Sequence, residues 1–415
     1  MRTRLLIVAV ALLGCGSSTP PADMNAPGCT VTLSADGADV YTRVQTALIE
    51  ARAGSTICFR DGTYRFSREL SLSVPRVTLK GLGDAVVFDF AGQRGGDGGT
   101  GGSGANSMSV TASGFTIERM TLKNSPGDGI RVTGASDVVF RRLNVSWDAG
   151  SVTSNGAYAI YPVGCTRVIV EDCEVSGASD AGIYVGQSRS VIVRRNRVHG
   201  NVAGIEIENT TDSDVYENRA WDNTAGVLVF NLPNLPVRDG RRCLVRNNTI
   251  EDNNRANFAP RGTIVASVPV GIGVLVMAAD ETEVRGNTIR RNNGTGVGVV
   301  NYRLVFRDPM DANYNVFPEG TLVRDNMFSD NGSAPMGEPL SLLNAPVEDI
   351  IWDGAVDPAR SADSAARTCV TGNGTARWRN LSINDVASSN TDLTRVNCTL
   401  PALPELTSFA ADGGV

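Results

Sequence analysis

Glu206 and Glu208 stand two residues apart in the run Ala203-Gly204-Ile205-Glu206-Ile207-Glu208. In an extended chain, residues at i and i+2 share a face. Two carboxylates so placed could hold Ca²⁺ or divide the roles of acid and base; a solvated acidic edge would read the same way. The matching run Ala181-Gly182-Ile183-Tyr184-Val185 lies 22 residues earlier and puts Tyr184 where Glu206 stands. Tyr161 follows Ile160, and Arg131 follows Ile130, in the same local setting. A guanidinium could neutralise an anionic group. A phenol beside a cation could exchange a proton. Arg131, Tyr161, Tyr184 and Glu206 therefore form the candidate catalytic set. Lys123, Asp148, Asn155, Tyr158, Asp180, Gln187 and Glu208 lie in adjoining strands and turns and are the candidate binding residues. Plain structural roles compete: an aromatic ladder stabilises a sheet, and Asp in a turn closes the turn.

These residues sit in a repeat that runs from about 110 to 331. A glycine (alanine in one copy) precedes an apolar residue at Ile130, Ile160, Ile183, Ile205, Val227, Ile272 and Val297. A second motif, apolar-x-apolar-polar-x-Asn-x-apolar, places Asn196, Asn218, Asn248, Asn287 and Asn326; Leu143 and Cys173 take that place in earlier copies. A further series reads Asn201, Asn223, Asn253, Asn292 and Asn331. A period of about 22 residues is too short to bury its own apolar face, so units must stack into a solenoid. Each unit supplies three short strands, and every strand pairs with its copy in the next coil. The Asn series fits tight bends, since Asn tolerates positive φ, and stacked amides can bond from coil to coil. The expected fold is all-β: a single-stranded right-handed parallel β-helix over 29–331. Residues 40–53 place Val40, Val44, Ala47, Leu48 and Ala51 on one helical face and predict a capping helix over the N-terminal end. The Gly-rich stretch 91–107 reads as a surface loop. The repeat fades over 332–415, predicting an irregular C-terminal cap.

The N-terminus carries Arg2 and Arg4, an apolar run Leu5–Leu13, and Leu12-Leu13-Gly14-Cys15. Nine apolar residues are too few to span a bilayer, so residues 1–15 read as an export signal ending in a lipobox. Cys15 would be lipidated, and 16–28 would be a flexible tether. The expected location is the cell envelope, with a lipid anchor as the sole membrane contact. Without Arg2 and Arg4, 36 Lys and Arg face 44 Asp and Glu, a net charge of −8, which argues against a nucleic-acid partner. His199 is the one histidine, which excludes a His-rich metal site. Seven cysteines follow Cys15, none in a CxxC pattern. Export makes disulfides the default: Cys29–Cys58 and Cys369–Cys398 are plausible neighbours, Cys165–Cys173 could pair within one coil, and Cys243 would be left over.

The Asn ladders, the Gly-Ile-x-Val strands and the coil length resemble the pectin-lyase-like superfamily. The segments 155–163 NGAYAIYPV, 178–188 ASDAGIYVGQS, 202–210 VAGIEIENT, 226–233 GVLVFNLP and 257–268 NFAPRGTIVASV resemble a group of bacterial parallel β-helix repeat proteins often labelled mannuronan C5-epimerases. The resemblance implies a substrate groove along the outer face of the first sheet. It would be open over about four coils, from Arg131 to Glu208. It also implies an acidic polysaccharide as substrate, with lyase or C5-epimerase-like chemistry. Such chemistry needs the uronate carboxylate neutralised by Arg131 or Lys123, a base for the C5 proton and an acid on the opposite side. The Asp-Pro-His-Asp motif of those epimerases is represented only by Asp308-Pro309-Met310-Asp311, and Met cannot exchange a proton. The competing reading is a monomeric, non-catalytic surface protein binding glycan or an envelope protein. The ladder Arg141, Glu171, Arg194, Tyr216, Arg246, Arg285 and Arg324 on the second sheet reads either as an anionic-polymer surface or as a soluble charged face.

Overall fold

The computed structural model describes residues 25–94, 106–306, 311–337 and 340–409. The expected export signal with Cys15, most of the expected tether and the central part of the Gly-rich stretch lie outside them. The chain is a parallel β-solenoid with few helices. Among the described residues one sheet has eleven strands and carries the Gly-Ile-x-Val runs; the other has twenty. The second is large because it joins two ladders. Thr116–Lys123 and Ser136–Ser146 continue through the corner that other coils break with a bend.

In the middle coils the inward positions of the first sheet are aliphatic: Ile130, Ile160, Ile183, Ile205 and Val227 stack in register, each fully buried. The next member is Val274, not Ile272, because Ile272 pairs with Ala225. Gly271-Ile272-Gly273-Val274 offers the motif twice, and packing decides between the two registers. A Cβ on Gly226 would stand 2.6 Å from the carbonyl oxygen of Gly273. The motif glycines thus let successive coils approach, which is why the register locks on Gly273.

The Asn ladders lie inside the bends. Asn196 Nδ2 donates to Asn218 Oδ1 at 3.0 Å, Asn218 to Asn248 at 3.0 Å, and Asn248 to Asn287 at 3.0 Å. Each oxygen also accepts the backbone N–H of the Asn in the coil before it. Positive φ falls on the residue before each Asn, at Arg195, Glu217, Asn247 and Asp325. The ladder Asn therefore serves by satisfying buried backbone groups rather than by accepting a strained φ.

The helix spans Val40–Glu50, three residues shorter than its apolar face suggests, with Asp39 capping Thr42 N. Val44 and Leu48 are buried against the first coils. The solenoid runs beyond 331: Ile350–Trp352 pairs with the first sheet, Trp378–Asn380 pairs with it in turn, and Cys369–Thr371 joins the second sheet. The cap thus begins later than the fading repeat suggests, since long loops between these strands hide the period. Cys29–Cys58 and Cys369–Cys398 are disulfides. Cys165 and Cys173 are not bonded to each other; both are buried free thiols, as is Cys243. Among the described residues no helix is long and apolar enough to cross a membrane.

Candidate functional site

The outer face of the first sheet changes character along the solenoid. In Leu70–Leu72, Met108–Val110, Ile130–Thr133 and Ile160–Val163, inward residues are buried, while the outward ones are partly exposed or, at Ser71 and Thr133, exposed. In Ala181–Gly186, Ala203–Glu208, Ala225–Phe230 and Thr295–Val300 every residue is buried, and in Ile272–Met277 every residue but half-buried Leu275. The expected open groove from Arg131 to Glu208 is therefore open only as far as Tyr161. Tyr184, Glu206 and Glu208 keep 4, 3 and 7% of their surface. The covering chain comes from insertions between the later coils, around 254–269 and 302–306, and from the segment near 340, through residues such as Val265, Val268, Leu304, Phe306 and Leu340. Strands buried on both faces read as unbroken apolar runs, which the segments AGVLVF and IGVLVM display.

Under that cover lies a cavity of about 120 Å³. Tyr158, Asp180, Glu206 and Glu208 line one part; Leu228, Phe230, Leu275, Met277, Val300 and Ile351 are among the residues lining the rest. Tyr158 donates to Asp180, and Tyr184 donates to Glu208. Burial pushes Asp180 and Glu208 up to about 7. Glu206 is pushed well above the usual carboxyl range by burial, then by the charges of Asp180 and Glu208. Tyr158 and Tyr184 are driven upward too, first by burial and then by the nearby carboxylates. Neither phenol is thereby suited to lose its proton, contrary to the expected cation-assisted role of Tyr184.

Next to the cavity, Tyr158, Tyr161 and Tyr184 pack with ring centroids 4.6–4.8 Å apart. Arg131 lies over Tyr161 at 4.9 Å and faces Asp128 at 3.8 Å. Burial brings Tyr161 up to about 12, against the opposing pull of Arg131. Sequence reasoning missed Asp128. It is buried, neither carboxylate oxygen has a hydrogen-bond partner, and burial lifts it to about 6. The only signal was its place just before the Gly129-Ile130 motif.

The other candidate binding residues do not join this cluster. Lys123 Nζ bonds Asp148 at 2.9 Å, with Asn124 bridging to the same carboxylate. Lys123 is thus committed to Asp148 and does not line the cavity. Asn155 is buried, and its amide ties the carbonyls of Gly150 and Gly177. Gln187 is a turn residue at positive φ whose N–H bonds Glu208 O. His199 stacks on Trp221 at 4.4 Å and lies 3.2 Å from Glu174, outside the cavity. Asp311 pairs with Arg238 at 3.1 Å; residues 308–310 of its string lie outside the described residues. No group of three or more His, Cys, Asp or Glu among the described residues is disposed to hold a metal ion, so the Ca²⁺ expected at Glu206 and Glu208 finds no ready ligand set.

The arginine ladder has its expected register. It is internally neutralised: Glu171 takes Arg141, Arg194 and Arg195, and Asp214 takes Arg246. Glu283 takes Arg285 and Arg324. Residues 403–407 lie across it, with Glu405 on Arg285 at 2.6 Å and Arg194 on the carbonyl of Thr407 at 2.7 Å.

This geometry defines a right-handed parallel β-helix with a covered, carboxyl-rich cavity on its first sheet. The family description "Right handed beta helix region" matches residues 106–240 and 150–307. Among solved structures, the chain is similar to the A-module of the mannuronan C-5 epimerase AlgE4 from Azotobacter vinelandii. Identity is 17%, with 81% of this chain and 85% of that chain covered and a TM-score of 0.53. The AlgE6 A-module of the same organism gives 17%, 79% and 79%, and 0.55. At this identity the shared property is the fold, one used by polysaccharide-active enzymes. No curated protein matches the sequence.

Proposed function

We propose that this chain is an exported, lipid-anchored envelope protein that acts on glycan. In this reading the working site is the carboxyl–tyrosine cluster where the open part of the first sheet meets its covered part. A glycan end lies over Arg131 and Tyr161, with Tyr158 and Asp180 behind. Glu206, whose burial and two carboxyl neighbours favour its protonated form, supplies the acid, and Asp180 or Glu208 the base. The observation that carries this is the convergence of three carboxyl groups, buried Glu206 and Glu208 and half-buried Asp180, on one cavity with protonation shifted towards neutrality.

The polyuronate version, lyase or C5-epimerase-like, is the weaker form. It needs a cation for the substrate carboxylate. Lys123 is held by Asp148, and Arg131 is shared between Tyr161 and Asp128. A neutral or cationic glycan fits the cluster better.

A second reading, a non-catalytic monomeric surface protein that binds glycan or an envelope partner, is favoured by the burial of Tyr184, Glu206 and Glu208. The two separate in one panel. The full chain is incubated with alginate, pectate, glycosaminoglycans, neutral glucans and chitosan. Unsaturated product, C5 proton exchange and new reducing ends are followed. Turnover that disappears in Glu206→Gln supports the enzyme. Binding without turnover on every polymer sinks it in favour of the binding protein. Recovery of the expressed chain in the soluble rather than the membrane fraction, with Cys15 unmodified, would sink the anchor.

A further inference from the structure

The cavity has two unlike parts, and together they specify a ligand. Three carboxyl groups converge in one part, and two of them have a donor: Asp180 has Tyr158, and Glu208 has Tyr184. Glu206 has none. It is 3% exposed, lines the cavity, and makes no hydrogen bond or ion pair among the described residues. A buried polar group with no partner is rare and costly, so Glu206 points to a donor that arrives from outside. No Lys, Arg or His lines the cavity among the described residues. The carboxyl groups keep their protons for want of a counter-charge, and an arriving cation, whose attraction is strongest in surroundings of low polarity, would draw Glu206 into its ionised form.

The other part is apolar. Leu228, Phe230, Leu275, Met277 and Val300 stand on successive strands of the sheet, and Val265, Val268 and Leu304 face them from the insertions. The cavity as a whole, about 120 Å³, approaches the roughly 150 Å³ of an engineered apolar cavity that admits one benzene ring. An anion would meet three carboxyl groups. A free sugar ring would leave most of its hydroxyls against aliphatic side chains.

We propose that this pocket takes a ligand bearing a protonated amine on an apolar body, the ammonium on Glu206 between Asp180 and Glu208 and the body between Leu275 and the insertion residues. The inference rests on the pocket being the working site. It narrows the ligand to an amine-bearing group, whether an aminated glycan end with an apolar substituent or a small amphiphile.

The test is an isosteric series on the full chain. Benzylamine, benzyl alcohol and benzoate share one apolar body and differ in head charge. Each is titrated and followed by ligand-observed NMR and calorimetry. Benzylamine is expected to bind about tenfold more tightly than benzyl alcohol, with benzoate weakest. Glu206→Gln is expected to remove that tenfold advantage while leaving benzyl alcohol unchanged, which also reports that the variant is folded. Should Glu206→Gln fail to fold, Leu275→Trp, which fills the apolar part, must abolish binding of both benzylamine and benzyl alcohol. Equal binding of the three heads, a preference for benzoate, or no binding at millimolar concentration overturns the proposal. Amine preference without turnover on any glycan would leave it standing and remove the enzyme; turnover without amine preference would do the reverse.

Discussion

Tyr184 lies along its own strand over Gly186: a Cβ at Gly186 would stand 2.5 Å from Tyr184 Cε1 and 2.7 Å from Cζ. The missing side chain lets the ring lie down and bring its hydroxyl to Glu208, which stands beside Gly186 in the next coil. Gly186→Ala should push the ring off this bed. The expected outcome is a loss of roughly 1–3 kcal/mol from overpacking, read as a lower denaturation midpoint. Ligand binding in the cavity should change as well. An unchanged midpoint and unchanged binding would mean that Tyr184 reaches Glu208 without needing Gly186.

Glu208 illustrates how the carboxyl cluster should govern stability with pH. Asp180 and Glu206 face it, Tyr184 donates to it, and Tyr314 stands close enough to feel its charge. Its folded pKa of about 7 lies above the ordinary 4.5. The native state thus holds the proton through a range where the unfolded chain has lost it, and stability falls as pH rises from about 4.5 to 7. A shift of this size corresponds to roughly 3 kcal/mol. Glu208→Gln should flatten that slope and raise stability at pH 8 relative to the parent. A parallel pH dependence for variant and parent would remove Glu208 as its source.

The repeat was legible because the middle coils of the solenoid use the same few residues in turn. Ile183, Ile205 and Val227 announce the inward face, and the two Asn series announce the bends. Function was less legible for a physical reason. Whether Tyr184 and Glu206 face solvent depends on loops from 254–269, 302–319 and 340 onward, far away in sequence and without period. Burial turned an expected groove into a cavity, and Tyr184 from a candidate acid–base group into a hydrogen-bond donor. Asp128 escaped notice because one Asp before a glycine has the look of a turn. The shift from Ile272 to Val274 shows the limit of motif spacing where glycine recurs at alternate positions.

The Asn ladder yields a pair of variants with opposite chemical logic. Asn218 accepts at Oδ1 from Asn196 N and Nδ2, and donates through Nδ2 to Val193 O and Asn248 Oδ1. Asn218→Ala removes all four bonds inside the bend and strands their partners, so a cost of about 3 kcal/mol or more is expected. Asn218→Asp keeps the acceptor but loses both donors and buries a charge, and should be more damaging at pH 8 than at pH 4. Thermal unfolding at the two pH values checks both. A pH-independent Asp variant would show that the bend admits water to that carboxylate.

The segment after Cys398 makes the last case. Leu403 N donates to Glu283 Oε2 at 2.7 Å and Leu406 N to Asp214 Oδ2 at 2.8 Å. Both acceptors are buried carboxylates that already hold arginines. Glu405 sits between Arg246 and Arg285, and Arg246 is only 5% exposed with the segment in place. Ending the chain at Cys398 keeps the second disulfide but removes these donors and the Glu405 charge. The surrounding ion pairs survive, and water reaches the newly exposed oxygens, so the cost should be about 1–3 kcal/mol rather than collapse. Amide exchange should accelerate at 214–216 and 244–246, the strands beneath, and stay unchanged at 181–186 on the other sheet. Uniform acceleration across both sheets would mean that residues 399–409 hold the solenoid together as a whole; no change anywhere would mean that the segment rests on the arginine ladder without stabilising it.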